Sequence, residues 1–353
     1  MLIKMESVAK SAWPAELKGK PLASSRENES TIMRPDLLHR FTPTPHVADL
    51  QLMQKTVRLE TNNAELLALA LKFFERYQHG AVQQSEFLWR LVCNPDPLVE
   101  STAGELSAFS DLGLRYVNIG ERGFLAVDLE TREAVGFFAD QFVKDDPRFR
   151  HRPPLDILFC MTAASLGFTA LSGGCVGVED RGVMIFGPPN SGKTTACYLA
   201  AKLGMEFHAD QVVFLEMSSH VLRGWGDPFL AVFRPETLDF LPELRQKARR
   251  STYADLSFYY FDKSPLQTRR AHPVTPVCSL FLERGVVGEP QLRKVTREDA
   301  VSRLRECMLF NEDSRFDDQI STALNALAAQ PVYKLQYGDD PRIAATFIEK
   351  MLR

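Results

Sequence analysis

This chain has no paired cysteines, no basic excess and no strongly apolar membrane-length run, and each shortage narrows what it can be. Its six cysteines, Cys93, Cys160, Cys175, Cys197, Cys278 and Cys307, form no CxxC pair, and no His or Cys cluster stands at metal-ligand spacing among the seven histidines. That pattern suits a reducing cytoplasm and argues against a structural zinc. The formal net charge of -3 carries no basic footprint, so nucleic acid is not expected as a partner. The richest basic cluster, Arg245, Lys247, Arg249 and Arg250, follows the acidic Glu236, Asp239 and Glu243 and reads as a solvated helix face. Met1 to Glu6 lack the apolar core of a secretion signal, which again predicts a cytoplasmic protein. The uncharged stretch 157–178 has the length of a membrane span but is weakly apolar. Gly167, Gly173, Gly174, Gly177 and several Ser and Thr interrupt it, so it reads as a buried helix over about 154–166 followed by a buried strand. No membrane association is expected.

What remains is a normal globular composition, 45% hydrophobic and 25% charged over 353 residues, enough for two domains or one large domain with an elaborated flank. Residues 1–55 are polar, carry Pro14, Pro21, Pro35, Pro43 and Pro45, and lack a sustained period, which predicts a partly mobile leader. Residues 56–150 read as an N-terminal α+β region. There, Asn62 or Asn63 caps a helix with Leu66, Ala70, Phe73, Phe74 and Tyr77 on one face and Gly80 at its end. Alternation at Phe87, Trp89 and Leu91, and short strands at 114–119, 124–129 and 134–138, predict an antiparallel meander. The proline-bearing stretch 145–154 marks a boundary.

Residues 151–353 interleave strands and helices, as an α/β domain does. Strands are expected near 178, over 183–186, 205–208, 212–215, 229–233, 277–282 and 332–337. Helices start at Thr296 (with Asp299 in a capping box), Asp317 and Pro341. Within this pattern, Gly187, Pro188, Pro189, Asn190, Ser191, Gly192, Lys193 and Thr194 match GxxxxGK[ST], the phosphate-binding loop between a strand and a helix. The glycines let successive N–H groups face one point, and the following helix, ending at Gly204, adds the positive end of its dipole. On this reading Lys193 reaches the outer phosphates of ATP, Thr194 holds Mg²⁺, and Thr195 on the first helical turn completes the nucleotide-contacting set. Phosphoryl transfer also needs a carboxylate to orient or deprotonate the attacking oxygen. Asp210, the first acid after the strand expected to lie beside the loop strand, is the candidate for base and metal organiser, with a turn aspartate as the competing reading. His208 reads as a packed or edge histidine with no partner positioned for it. Arg223, Arg234, Arg269 and Arg270 are possible charge neutralisers among which sequence does not choose.

With the loop and Asp210 in place, residues 172–216 resemble the C-terminal kinase domain of bacterial HPr kinase/phosphorylase and its broader related set. The resemblance is carried by Gly173-Gly174, the strand Gly182 to Phe186, the loop, Leu203-Gly204 and Phe207 to Val213, and continues more weakly through Phe233 to Glu236, Pro276 to Glu283 and Pro331 to Gly338. It implies a mixed sheet around the loop, similar to phosphoenolpyruvate carboxykinase, and an oligomer. Ser172 stands where the family has a catalytic histidine, Thr195 where it has a glutamate, and Gln211 where it has a second aspartate. The family roles therefore extend to the loop, Lys193, Thr194 and Asp210, and not to those three positions.

Two functions follow from these residues. One is an ATP-dependent kinase that transfers the γ-phosphate to a hydroxyl on a small molecule, peptide or protein. The other is a nucleotide-binding sensor or adaptor with slow or no transfer, which the missing acids favour.

Overall fold

The computed structural model describes residues 42–77, 84–94, 107–111, 113–119, 122–145, 154–227, 231–245, 249–253, 256–260, 271–285, 288–310 and 314–353. Regular structure is present within the segment whose polar composition predicts a leader. Strand β1 (His46–Leu52) and β2 (Lys55–Thr61) form an antiparallel hairpin around Met53 and Gln54, both at positive φ (51° and 74°), as a tight primed turn requires. Residues 46–55 therefore belong to the sheet and not to the leader. β1 exposes Val47 and carries Asp49, so its apolar residues gather at one end and give no sequence period.

Helix α1 (Ala64–Phe74) starts as expected, with the Asn63 side chain accepting from the Leu66 N–H at 2.9 Å. It passes into a 3₁₀ turn over Glu75–Tyr77, sooner than Gly80, which lies outside the described residues. Leu66, Ala70, Phe73 and Phe74 are its buried face, and the Phe74 ring lies 5.7 Å from that of Trp89. The sheet beneath contains β3 (Phe87–Asn94), β4 (Ser107–Asp111), β5 (Leu114–Asn118), β6 (Gly123–Asp128) and β7 (Glu133–Ala139), in the order β1-β2-β3-β7-β6-β5-β4. β5 to β7 form the expected antiparallel meander, and β4, for which no strand was expected, extends it beyond β5. β3 does not join it that way: it runs parallel to both β2 and β7, because α1 carries the chain back over the sheet between β2 and β3. A short helix α2 (Asp140–Asp145) follows, and most of the stretch expected as a boundary, 146–153, lies outside the described residues.

Helix α3 (Leu155–Thr162) and a 3₁₀ turn to Leu166 match the expected buried helix, closed by Gly167 at φ 88°. The single strand expected after it is two strands in two different sheets, β8 (Phe168–Ser172) and β9 (Gly174–Val178). Gly173 makes the switch; a Cβ there would come within 2.8 Å of the Phe186 ring. Next come β10 (Arg181–Phe186), α4 (Lys193–Lys202), β11 (Glu206–Ala209), β12 (Val212–Ser218), β13 (Val221–Gly226), β14 (Val232–Phe233) and α5 (Thr237–Phe240). They are followed by β15 (Arg249–Tyr253), β16 (Leu256–Tyr260), β17 (Thr275–Arg284), β18 (Gln291–Lys294), α6 (Arg297–Glu306), α7 (Asp317–Ala328), β19 (Val332–Tyr337) and α8 (Pro341–Leu352). Thr296 and Asp340 cap α6 and α8, accepting from the N–H groups of Asp299 and Arg342. Arg249 and Arg250 lie in strand β15, which corrects the helix-face reading of the basic cluster; Lys247 is outside the described residues. Among the described residues, no helix is long and apolar enough to cross a membrane.

The second large sheet has the order β11-β9-β10-β17-β19-β18, with β10, β17 and β19 parallel and the outer pairs antiparallel. Its period-two alternation feeds two cores. Val183 and Ile185 of β10 pack with the inner faces of α4 and α8, while Met184 and Phe186 pack with α6, α7 and one face of the three-stranded sheet β13-β12-β8. The other face of that small sheet, through Phe168, Ala170, Val212 and Phe214, belongs to the N-terminal core with Trp89, Phe159 and Trp225. A further small sheet, β14-β16-β15, completes this mixed α/β arrangement. One apolar cluster thus runs from the first sheet into the layer that supports the second.

Candidate functional site

The loop 187–194 leaves β10 at the end where three parallel strands finish and enters α4. Gly187, at φ 144°, sits where a Cβ would fall 2.5 Å from the Leu282 carbonyl and 2.7 Å from Ser191 Oγ. Gly192, at φ 88°, faces the Tyr337 hydroxyl, which would collide with any Cβ placed there. Both positions exclude other residues by conformation and by contact. Asn190 is the left-handed non-glycine of the loop, at φ 68°. Pro188, Pro189 and Asn190 are exposed, while Ser191 turns inward: its N–H donates to the Pro188 carbonyl, its own carbonyl accepts the Tyr337 hydroxyl at 2.7 Å, and its Oγ is buried without a hydrogen-bond partner.

Helix α4 begins at Lys193, and Gly192 supplies no side-chain cap for its first turn. A helix start of this kind leaves N–H donors available and carries the positive end of the dipole. Lys193 folds back over the loop, donating to the carbonyls of Gly187 at 2.8 Å and Pro188 at 3.0 Å. Burial pushes its pKa below the ordinary lysine range, against the opposing charge of Asp210.

Thr194 Oγ1 donates to Asp210 Oδ1 at 2.9 Å. Asp210 is 4% exposed, and its other oxygen accepts from the Val232 N–H and from Gln211 Nε2, both at 3.1 Å. Gln211 adopts φ 78° while its carbonyl accepts from the Gly173 N–H, so this residue shapes the turn that presents Asp210. The route differs from the one expected. β11 is not the neighbour of β10; β9 lies between them, and Asp210 reaches Thr194 because the chain turns immediately after β11. Thr195 is buried on the first turn of α4. Ser172 is in register with Val212, and its N–H donates to the Cys307 carbonyl. Arg223 is in register with Glu216, Arg234 is exposed after β14, and Arg269 and Arg270 lie outside the described residues.

Two contributors had no usable sequence signal. Tyr337 ends β19 as an ordinary core aromatic, and the Val232 backbone leaves no residue-type trace. His208 also has company that sequence did not reveal: His272, ring centroids 4.8 Å apart, and Glu206. Burial, with His272 beside it, lowers the His208 pKa to about 3, so the ring is neutral.

No family model and no curated protein matches this chain. Among solved structures it is similar to the HPr(Ser) kinase/phosphatase from Coxiella burnetii, with 13% identity, 51% of this chain and 88% of that chain covered, and a TM-score of 0.26.

Proposed function

We propose that this protein is an ATP-dependent phosphotransferase that moves the γ-phosphate to a hydroxyl acceptor. The observation that carries the reading is the Thr194–Asp210 bond at the head of a helix without a side-chain cap. A hydroxyl and a carboxylate in contact are an all-oxygen donor set of the kind Mg²⁺ prefers, so Thr194 and Asp210 are the residues that would hold it. That ion supplies charge neutralisation on the phosphate oxygens.

The remaining work falls to the chain itself. Loop and first-turn N–H groups receive the phosphates, and Lys193 exchanges its bonds to the Gly187 and Pro188 carbonyls for bonds to phosphate oxygens. Its partly desolvated ammonium favours that exchange because it regains a counter-charge. Asp210 accepts the acceptor's proton or orients its hydroxyl, and Gln211 and the Val232 N–H hold the carboxylate in place. Electrostatic positioning of this kind is the main demand of phosphoryl transfer.

The test pairs nucleotide binding with transfer of labelled γ-phosphate. Lys193→Ala should abolish turnover. Asp210→Asn should keep ATP affinity within a few fold while transfer falls roughly 100-fold or more; unchanged turnover in that variant would sink the assignment. A sensor that binds without transferring is favoured by one observation, the engagement of Asp210 Oδ2 by two donors. Tight Mg-ATP binding with no transfer to any acceptor would select it.

A further inference from the structure

We propose that Glu206, His208 and His272 form a second cation site, for a divalent transition metal of the zinc class, with one coordination position left open. The three side chains come from two places in the chain: Glu206 and His208 from β11, and His272 from the segment leading into β17. Their ligand atoms all lie within 4.8 Å of one another. Glu206 Oε2 is 3.0 Å from His272 Nε2 and 3.8 Å from His208 Nε2. Tetrahedral zinc with bonds near 2.0–2.2 Å places neighbouring donors about 3.3–3.6 Å apart. The two observed separations bracket that spacing.

The independent pointer is His208. It is 5% exposed, and its Nε2 is buried with no hydrogen-bond partner, facing Glu206. An orphaned buried ring nitrogen carries a desolvation cost that a bound ion would remove. On the neighbouring strand, a Cβ on Gly177 would lie 2.9 Å from this same nitrogen, so the missing side chain there makes room for the His208 ring. The His272 ring is already oriented, with Nδ1 3.3 Å from the Pro273 carbonyl, the outer contact that commonly fixes a ligating histidine. Two imidazoles and one carboxylate suit zinc better than Mg²⁺, and Glu206 and His272 are part-exposed, which leaves an entry path. Such an ion would tie the edge strand β11, from which Asp210 emerges, to the approach to β17.

The experiment uses the full chain without a polyhistidine tag, stripped with chelator and then titrated with Co²⁺ as a visible-absorbing probe and with Zn²⁺ in competition. About one ion per chain should bind, giving the intense absorption of tetrahedral Co²⁺ that Zn²⁺ displaces. His272→Ala and Glu206→Gln, both at part-exposed positions, should each weaken binding at least about tenfold and cancel the rise in Tm produced by Zn²⁺. Circular dichroism verifies that these variants fold. Thr194→Ala should bind Co²⁺ as the unaltered chain does, because its hydroxyl belongs to the other cation site. Absence of stoichiometric binding, equal binding in the His272 and Glu206 variants, or loss of the signal in Thr194→Ala would each overturn the proposal.

Discussion

The two large sheets bury ionisable groups in different ways. In the first, Arg115 is 1% exposed, donates to the Met161 carbonyl at 2.6 Å, and lies over the Phe310 ring at 4.3 Å. Its charge is spent on joining a strand to α3, inside a core built from Trp89, Phe74 and Phe138. In the second, the buried Asp210, His208 and Ser191 gather at strand ends and beside a loop, and two of them keep an unpartnered atom. Unpartnered buried atoms occur in both layers, Trp89 Nε1 of the first sheet among them. What sets the second apart is their place, at a strand end and in a loop beside left-handed backbone, where a ligand can reach them.

The contrast between the sheets is widest at Trp89 and Lys193. Trp89→Ala, in the N-terminal core, should cost about 3–5 kcal/mol in denaturant unfolding, whereas Lys193→Ala should leave stability nearly unchanged and remove nucleotide binding. A mild effect at Trp89 would mean that the first sheet is not the stabilising layer. Arg115→Met should cost roughly 1–3 kcal/mol, because the Met161 carbonyl loses its donor; no loss of Tm would show that this buried charge is dispensable.

Gly192→Ala should cost about 1–3 kcal/mol from its left-handed backbone and weaken nucleotide binding with it. Tyr337→Phe alone should cost about 1 kcal/mol through the bond to the Ser191 carbonyl. Combined with Gly192→Ala it should cost less than the sum, since the hydroxyl is the clashing atom. Strict additivity would contradict the contact.

The mildest change is at the surface of the second sheet. Lys334, 2.5 Å from Glu283, and then Gln336 hold the Glu283 carboxyl below its ordinary value of 4.5. A depressed acid stabilises the fold above its unfolded pKa and loses that contribution as pH falls through its folded value. Lys334→Ala should therefore cost only a few tenths of a kcal/mol near neutrality, and the difference from the unaltered chain should vanish in acid. A gap that widened in acid would reverse the sign.

Much of the fold was legible where the signal is local. Asn63, Thr296 and Pro341 mark helix starts because capping is decided within a few residues, and β19 matches its expected bounds because Val332 to Tyr337 lie between a helix end and a proline start. β1, the split of β8 from β9, and the parallel placement of β3 were not legible, since each depends on partners distant in sequence. At the site, the pattern from Gly187 to Thr194 and the position of Asp210 were readable as residue types. The contacts of Gln211, Val232 and Tyr337 were not, because a hydrogen bond across strands leaves no spacing rule.

The order of residues was enough to set the alternation of strands and helices and the glycine loop before α4, because backbone conformation there follows from near neighbours. Folding in three dimensions settled the rest: that β9 separates β11 from β10, that Asp210 nevertheless meets Thr194, and that His272 comes to Glu206 across 66 residues. The reason is physical: strand order is selected by burying both faces of a sheet at once, and that requirement sums over residues from the whole chain.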